Sequence, residues 1–462
     1  MITRCPQPSW QTSVRFSELD GAKVGVWGAG REIASFASQL RRRLPAARIV
    51  AAAFDSPPDA GVAELLQAPG VQIVSGGEIV PALSQCEVLV RSPGVSIHRP
   101  ELRTLREAGL PVTTATALWL AERGGEGVIG VTGTKGKSTT AALLCHLLRA
   151  AGVPAGLAGN IGVPALELLD GEQGAPAVVE LSSFHIADLE VGPQVALFTN
   201  LYREHLDWHG SEDAYRAEKL RLLELPGVQA AVLNARDGRL REVRSDVPVS
   251  YFGDRDGWDI DAGELVFAGE PALALAELPL AGEHNALNVC AALTALELLG
   301  VERPPLQSTL ASFQALPHRL QTVLEAGGVI WVDDSISTTP ESTLAAIASF
   351  PARPIVLIAG GQDRGQDFAG LARALADRGA SVLGVPSTGP SLVAAARSAG
   401  VPEASALEAA DMAEAVSLAR ALAPPQAVVL LSPAAPSYDH YRDFEDRGER
   451  FAALALERHP PV

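Results

Sequence analysis

A glycine-rich segment between a β-branched run and an Ala/Leu-rich stretch carries the strongest chemical signal in the sequence. It reads GVIGVTGTKGKSTT over 127–140 and fits the phosphate-loop pattern GxxxxGK[ST], with Gly130 and Gly136 framing the loop. Such glycines let backbone N–H groups converge on phosphate oxygens, and the helix start adds favourable partial charge. Lys137 would supply a cation to the β- and γ-phosphates and Ser138 a hydroxyl ligand for Mg²⁺. A turn with an incidental lysine is the alternative, but the flanking strand and helix favour a mononucleotide site.

Three side chains further along the chain could complete a metal site. Glu180 ends the strand AVVE, and His205 follows the strand at 195–199, at the sheet edge where open α/β folds place ligands. A carboxylate there can complete the Mg²⁺ shell that Ser138 begins. Lys219 lies on the next predicted helix. An ammonium about 6 Å from a divalent ion, at an effective dielectric of about 20, is repelled by about 5 kcal/mol. Lys219 is therefore either neutralised or carbamylated near the metal, or an ordinary surface group away from it.

The first predicted strand also enters a glycine turn, VGVWGAGREIASF over 24–36. Gly28 and Gly30 match the first two glycines of GxGxxG, while Ile33 replaces the third. A nicotinamide dinucleotide site and a tight βα turn without a ligand are both compatible with this motif.

Short apolar runs alternate with longer amphipathic stretches and predict the elements that position these residues. This alternation predicts an α/β fold of three domains, each built on a mainly parallel sheet: Rossmann-like, P-loop ATPase-like and Rossmann-like. Breaks near 115–117 and 316–319 place the domains at 1–116, 117–316 and 317–462. The predicted strands are 23–27, 48–54, 88–91, 127–131, 177–181, 195–199, 230–234, 329–333, 355–359, 381–385 and 427–432.

Composition limits the classes of protein. Among 462 residues, 37 Lys and Arg stand against 54 Asp and Glu, a net charge of −17 that argues against nucleic acid as the main partner. A local basic pocket for an anionic small molecule stays possible. The four cysteines are far apart, without a CxxC pair, so we expect neither a zinc site nor a disulfide framework. Without a signal peptide or an apolar run of about 20 residues, we expect a cytoplasmic protein without membrane contact.

The ordered set of motifs resembles the Mur ligases, ATP-dependent amide-bond-forming enzymes of peptidoglycan precursor synthesis, and most closely their MurD branch. Folylpolyglutamate synthetases share the central fold but would lack several of these motifs in this combination. The motifs are GVTGTKGKSTT, GNIGVP at 159–164, ELSSF at 180–184, HLD at 205–207, YRAEKL at 215–220, GEHNALN at 282–288, HRLQ at 318–321, DDS at 333–335 and SPAAPSYDHYRDFEDRGERF at 432–451.

The resemblance implies a reaction and its partners. The carboxylate of UDP-N-acetylmuramoyl-L-alanine would attack the γ-phosphate of ATP, and the amine of glutamate would displace phosphate from the acyl phosphate through a tetrahedral intermediate. It also implies two Mg²⁺ ions and a carbamylated Lys219, and we expect a monomer.

The resemblance assigns a role to each matching position. The implied catalytic residues are Lys137, Glu180, His205 and Lys219; the implied metal ligands are Ser138, Glu180, His205 and Lys219. The implied ATP-binding residues are Gly133, Thr134, Lys135, Gly136, Lys137, Ser138, Thr139, Asn285, Asn288, Arg319 and Asp334. The implied UDP-substrate residues are Gly28, Gly30, Asp55, Ser92, Gly94 and Asn160, and the implied amino-acid residues are Thr338, Arg364, Ser437, Tyr438 and Phe444.

The sequence departs from the MurD pattern where the incoming amino acid would bind. In DDSISTTPEST, Ile336 stands at a lysine position while Thr338 is retained; Arg364 replaces a lysine, and Tyr438 a smaller leucine. Drift at tolerant loops is one explanation, and a changed choice of amino acid is the other, because Arg and Lys bind carboxylates differently. DDSISTTPEST and HLDWHGS resemble the less common branch that adds L-glutamate, so we favour L- over D-glutamate. A nicotinamide-dependent oxidoreductase and a nucleotide-gated regulatory protein are the alternatives from other classes.

Overall fold

The chain forms two compact units, Met1–Phe313 and Gln314–Val462, in the computed structural model. Both are built from mainly parallel sheets with helices, which confirms the α/β fold predicted from the sequence. No helix in the described part of the chain is both long and apolar enough to span a membrane. The structure describes residues 13–54, 66, 70–172, 174–202, 212–280, 282–314, 316–363 and 365–457.

The first sheet is parallel throughout and runs in the order β3-β2-β1-β4-β5. The strand order reverses between β1 and β4, so the carboxyl ends of these two strands flank the crevice where such sheets bind ligands. The strands are β1 Lys23–Trp27, β2 Arg48–Ala53, β3 Gln72–Val74, β4 Val88–Arg91 and β5 Val112–Thr113; the helices are α1 Arg31–Arg43, α2 Ile79–Leu83, α3 Pro100–Glu107 and α4 Ala115–Arg123.

The second sheet belongs to the same compact unit and has six parallel strands in the order β11-β10-β9-β6-β8-β7. Its central strands are buried along their whole length, which explains their unbroken apolar runs. The strands are β6 Val128–Thr132, β7 Gly156–Gly159, β8 Ala177–Glu180, β9 Val195–Phe198, β10 Ala230–Asn234 and β11 Val249–Phe252; the helices are α5 Lys137–Ala150, α6 Ser183–Ile186, α7 Glu212–Leu220 and α8 Gly238–Arg241.

A small antiparallel sheet follows in the chain and precedes two helices of the same unit. Its strands are β12 Trp258–Asp261, β13 Glu264–Phe267 and β14 Glu270–Ala274, and the helices are α9 Glu283–Leu298 and α10 Leu306–Ala311.

The second unit holds one six-stranded sheet in the order β15-β16-β20-β17-β18-β19, parallel except for the antiparallel edge strand β15. The strands are β15 Gln321–Ala326, β16 Val329–Asp333, β17 Ile355–Ala359, β18 Ser381–Gly384, β19 Ala406–Glu408 and β20 Val428–Leu431; the helices are α11 Pro340–Ala348, α12 Ala369–Arg378, α13 Gly389–Ser398, α14 Met412–Leu422 and α15 Phe444–Leu456.

Each strand predicted from the sequence is present, with ends that agree within one residue. The sequence did not predict the edge strands β3, β5, β7, β11 and β19 or the antiparallel strands β12 to β15. These strands are short or partly exposed, so they lack a continuous apolar run. The domain limits 1–116, 117–316 and 317–462 stay predictions, since the two compact units do not divide the first 313 residues.

Arg447 on α15 joins the carboxyl ends of three neighbouring strands in the second unit. The guanidinium is fully buried and donates to the Ser335 hydroxyl at 3.0 Å and carbonyl at 2.8 Å, and to the Ala435 and Gly360 carbonyls at 3.0 and 3.4 Å. Burial lowers the pKa of Arg447 to about 10, so the group keeps its charge at neutral pH. One side chain thus holds the loops after β16, β17 and β20 together.

Replacing Arg447 is expected to destabilise the second unit. In Arg447→Leu, buried carbonyls lose their donor, and we expect a loss of about 3–5 kcal/mol in the free energy of unfolding. Urea unfolding with peptide-resolved hydrogen exchange over residues 314–462 measures the loss. Arg442→Leu is the matched control, because the Arg442 side chain is 78% exposed and its ion pair with Asp446 is long. Equal losses in the free energy of unfolding of Arg447→Leu and Arg442→Leu would contradict the stabilising role of Arg447.

Candidate active site

The segment that connects β6 to α5 forms a tight loop whose shape requires glycine. Gly133 has φ +137° and Gly136 has φ +83°, both in the left-handed region. A Cβ atom at Gly133 would lie 2.1 Å from Thr199 Oγ1, and one at Gly136 would lie 2.4 Å from Asn288 Oδ1. The loop therefore threads between the end of β9 and helix α9, and α5 begins directly after it at Lys137.

Hydrogen bonds to the residues after β9 fix the loop. Asn200 accepts from the Thr134 N–H through its carbonyl and from the Lys135 N–H through Oδ1, both at 2.8 Å. The carbonyl of Lys135 accepts from Asn200 Nδ2 at 2.9 Å and from the Thr199 hydroxyl at 2.6 Å. Lys137 Nζ donates back to the Thr134 carbonyl at 2.8 Å. The ammonium is thus held at the loop that would cradle phosphates, beside the start of a helix.

Asn285 and Asn288, predicted to bind ATP, lie on α9 close to α5. Thr140 on α5 donates to Asn288 Oδ1 at 3.2 Å, and Asn288 Nδ2 donates to Asn285 Oδ1 at 3.3 Å. The two asparagines are three residues apart on α9 and so share one face of the helix. Together with the approach of Asn288 to Gly136, these contacts bring both asparagines to the phosphate loop.

Glu180 ends β8 beside the phosphate-loop strand, where it pairs with Val131 of β6. Its side chain is 1% exposed. Asn160 donates to Glu180 Oε1 from Nδ2 and to the Glu180 carbonyl from its backbone N–H, both at 3.1 Å. Glu180 Oε2 is buried and has no hydrogen-bond partner among the described residues. An unpaired buried carboxylate oxygen is costly, and a bound cation would remove that cost.

The donor set around Glu180 therefore fits a divalent cation that also binds ATP oxygens. Ser138, buried at the start of α5, offers a hydroxyl oxygen. No group of three His, Cys, Asp or Glu side chains that could hold a metal ion is found within the described ranges. The proposed ligand His205 lies outside the described residues, as does Asp207 of the same motif.

Lys219 is a buried residue of α7 and not a solvated group on the helix surface. It is 2% exposed, and its Nζ donates to Thr132 Oγ1 at 3.3 Å, at the end of β6. The Tyr215 ring centroid lies 5.1 Å from Nζ, and the Tyr215 hydroxyl lies 3.0 Å from Thr134 Oγ1. Helix α7 thus docks on the phosphate loop and directs Lys219 towards its base.

Residues of the first sheet that were predicted to bind the UDP-substrate meet at the crevice between β1 and β4. Gly28 has φ +113°, and a Cβ atom there would lie 2.6 Å from Ser92 Cβ; one at Gly30 would lie 3.4 Å from Ser92 Oγ. Gly94 follows in the same loop, whereas Asp55 lies outside the described residues. Arg31, next to Gly30, donates to the Asn160 carbonyl at 3.3 Å. This contact joins the crevice to the residues around Glu180.

The second unit buries Asp334 directly after β16. Asp334 accepts from the Ser432 hydroxyl at 2.8 Å and from the Leu320 N–H at 3.3 Å. Burial raises the pKa of Asp334 to about 6, against the hydrogen bonds from Ser337 and Ser432 and the positive charge of Arg319. Arg319 and Asp334, both predicted to bind ATP, thus interact electrostatically within this unit.

The predicted amino-acid residues lie after β16 and β20, two adjacent parallel strands. Thr338 is half-buried, Ser437 is buried, and Tyr438 is 61% exposed. Phe444 begins α15, and its ring packs edge-on against that of His318 at 6.1 Å between centroids. Arg364 lies outside the described residues.

Several residues that shape the site were missed in the sequence. Thr132 and Tyr215 contact Lys219 from within predicted elements, and no spacing rule selects them. Arg91 gave the clearest signal, because it is a charged residue that ends an otherwise apolar strand. Its buried partner Asp188 is 97 residues away in the chain, so the pair could not be predicted from sequence spacing.

The raised pKa of Asp334 makes stability depend on pH. The carboxyl titrates at about 6 when folded and about 3.9 when unfolded, so the unfolded state loses its proton first and stability falls as pH rises through this window. Asp334→Asn removes this pH dependence. From pH 5 to pH 7.5, the free energy of unfolding of the unsubstituted protein should therefore fall by about 1 kcal/mol relative to that of Asp334→Asn. Urea unfolding with hydrogen exchange over residues 314–462 tests this. If the difference in the free energy of unfolding between Asp334→Asn and the unsubstituted protein stays constant with pH, Asp334 is not buried as described.

Two segments of the chain match known domains. Residues 131–296 match the Mur ligase middle domain, and residues 318–435 match the Mur ligase glutamate ligase domain. Two relatives named UDP-N-acetylmuramoyl-L-alanine–L-glutamate ligase are each 41% identical to this chain. The protein from Micromonospora sp. aligns over 95% of this chain and 97% of its own length, and that from Xanthomonas euvesicatoria pv. vesicatoria over 96% and 97%.

Solved structures share the fold at lower identity. The UDP-N-acetylmuramate–alanine ligase MurC of Thermotoga maritima has a TM-score of 0.59 at 19% identity and covers 95% of this chain and 99% of its own. MurF of Acinetobacter baumannii also has a TM-score of 0.59 at 19% identity, with 96% and 93% covered. Together with the 41% identity of the relatives, the domain matches establish the family. The chain belongs to the Mur ligase family of ATP-dependent amide-bond-forming ligases of peptidoglycan precursor synthesis.

Proposed function

We propose that this chain joins glutamate, with L-glutamate favoured over D-glutamate, to UDP-N-acetylmuramoyl-L-alanine at the expense of ATP. The main support for the proposal is a continuous series of contacts within the first unit. The crevice at Gly28 contacts Asn160 through Arg31, Asn160 binds Glu180, and Glu180 pairs beside the phosphate loop. One substrate can therefore reach from a UDP-binding crevice to the γ-phosphate of ATP.

The choice of L-glutamate rests on two supports. The two relatives described above carry L-glutamate in their names, at 41% identity over nearly the whole chain. The departures at Ile336, Arg364 and Tyr438 fall in the loops that would bind the amino acid, whereas the phosphate-loop motif is intact.

The proposed reaction has two steps and uses no enzyme nucleophile. A carboxylate oxygen of the L-alanyl group forms a bond to the γ-phosphorus as the bond to ADP breaks, giving an acyl phosphate. The deprotonated amine of glutamate then attacks the acyl carbon, and phosphate leaves from the tetrahedral intermediate. The protein contributes positioning and charge neutralisation. Lys137 and the N–H groups of the loop would hold the phosphates, with Asn285, Asn288, Arg319 and Asp334 proposed for the rest of ATP.

Ser138, Glu180, His205 and a carbamylated Lys219 are the proposed ligands for two Mg²⁺ ions. Bound Mg²⁺ would neutralise charge on the phosphate oxygens during transfer. The buried, unpaired Glu180 Oε2 supports this assignment. Lys219 supports it as well, because its Nζ is almost fully buried at the base of the loop. Carbamylation would join CO₂ to the neutral amine with loss of a proton and convert a buried cation into an anionic oxygen ligand.

Each of the three predicted domains would bind one of the substrates of this reaction. The 1–116 domain would bind the UDP-substrate through Gly28, Gly30, Asp55, Ser92 and Gly94, with Asn160 from the central domain. The 117–316 domain would bind ATP, and the 317–462 domain would bind glutamate through Thr338, Arg364, Ser437, Tyr438 and Phe444. We propose a monomer that works in the cytoplasm on small molecules alone.

The amino-acid requirement tests the proposed reaction. With ATP, Mg²⁺ and UDP-N-acetylmuramoyl-L-alanine, phosphate should be released only when glutamate is added, and faster with the L than with the D enantiomer. A coupled phosphate assay with both enantiomers measures this, and mass spectrometry identifies the product. A preference for D-glutamate would contradict the stereochemical proposal, and activity with neither enantiomer would overturn the ligase assignment for this substrate.

The carbamate at Lys219 has its own test. Lys219→Ala should lower kcat by a factor of about 100 or more, because a metal ligand is lost, and formate or acetate should restore part of the activity. Lys135→Ala is the comparison, because Lys135 lies in the loop but is not a proposed metal ligand. Its activity should not respond to added carboxylates. Unchanged activity in Lys219→Ala would remove this residue from the mechanism.

A further inference from the structure

A buried ion pair joins the first sheet to the second. Arg91 ends β4, and its side chain is fully buried; Asp188 follows α6, and its side chain is 1% exposed. Arg91 Nη2 contacts Asp188 Oδ2, and Arg106 of α3 donates to Asp188 Oδ1 at 3.0 Å. A charge pair this deeply buried is costly unless additional hydrogen bonds stabilise both partners. Neither Arg91 nor Asp188 has a role in the chemistry proposed above.

The second terminal nitrogen of Arg91 holds the loop that follows β4. Arg91 Nη1 donates to the carbonyls of Ser92 at 3.1 Å, Pro93 at 3.2 Å and Val95. This loop contains Ser92 and Gly94, two of the residues proposed to bind the UDP-substrate. The guanidinium fork thus fixes the loop with one nitrogen and binds Asp188, after α6, with the other, which the single ammonium of a lysine cannot do.

A second buried link joins the turn after β1 to the same short segment. Glu32 Oε1 accepts from His185 Nε2 at 2.7 Å and from the Thr116 hydroxyl at 2.9 Å, and His185 Nδ1 lies 2.6 Å from the Ser182 hydroxyl. Burial opposes ionisation, but the interactions with His185, Thr116 and Arg91 together outweigh it and hold the pKa of Glu32 below its usual value. The turn with Gly28 and Gly30 is therefore also anchored on α6.

Both links end on residues 182–188, which we call the bracket segment. It begins two residues after Glu180, and it includes α6. His185 and Asp188 are three residues apart within it. The two sides of the crevice between β1 and β4 are thus fixed to one short piece of chain that continues from the proposed metal ligand. A shift of the bracket segment would move the UDP loops relative to the reacting atoms.

We propose that Arg91 is a positioning residue for the UDP end of the substrate, which it sets relative to Glu180 through Asp188. The inference rests on the proposed function, since it requires a UDP-substrate in the crevice. Binding energy from a part of the substrate that does not react is used to place the part that does. A misplacement of about 1 Å can lower the rate of such a reaction by a factor of about 100.

Arg91→Lys tests the proposal while it keeps a positive charge beside Asp188. The lysine cannot hold the three loop carbonyls at the same time, so we expect the KM for UDP-N-acetylmuramoyl-L-alanine to rise about tenfold or more and the KM for ATP to change by less than about twofold. Arg106→Lys is the matched control. Arg106 donates to Asp188 Oδ1 and to none of the loop carbonyls, so both KM values should stay within about twofold of the unsubstituted protein.

Direct binding separates this inference from the proposed function. Calorimetric titration with UDP, at a temperature where all three proteins are folded, should show weaker binding to Arg91→Lys than to the unsubstituted protein and to Arg106→Lys. Equal UDP affinity in all three, or KM values for ATP and the UDP-substrate that rise together in Arg91→Lys, would overturn the positioning role and leave the ligase proposal standing. An unsubstituted protein that neither binds UDP nor turns over the substrate would instead overturn the proposed function.

Discussion

The close packing of the phosphate loop against its neighbours is the constraint on which the site depends. Gly133 and Gly136 leave no room for a side chain, because Thr199 and Asn288 occupy the space that a Cβ atom would need. The same approach lets Asn200 fix the loop and lets α9 meet α5. The loop would otherwise not present its N–H groups and the start of α5 to one phosphate chain.

Charge is placed locally within an acidic protein. The net charge of −17 excludes a broad basic surface, yet Lys137, Lys219 and Arg91 are each held at defined acceptors or rings. Arg91 and Lys219 are buried, and buried charges cost free energy unless they are paired, so their presence along one path from the first sheet to the phosphate loop is informative. Glu180 lies on this path with one buried oxygen that has no hydrogen-bond partner among the described residues, and this is where a cation fits.

The sequence predicted the central strands and the phosphate loop but not the contacts between the first two sheets. Strand β6 and its loop were predictable because burial on both faces gives an apolar run and the Gly-Lys-Ser spacing is local. The Arg91–Asp188 and Glu32–His185 contacts join residues 97 and 153 positions apart, and no periodicity encodes such pairs. The raised pKa of Asp334 likewise depends on burial by distant segments, including Ser432 after β20.

The attack of the substrate carboxylate on ATP, as proposed, transfers a carboxylate oxygen to the released phosphate, and isotopic labelling can follow that oxygen. With ¹⁸O in the L-alanyl carboxylate of UDP-N-acetylmuramoyl-L-alanine, an acyl phosphate carries one labelled bridging oxygen into the released phosphate when glutamate displaces it. We expect singly labelled phosphate in proportion to ligated product, detected by the ³¹P isotope shift. Unlabelled phosphate formed together with ligated product would contradict the acyl-phosphate route.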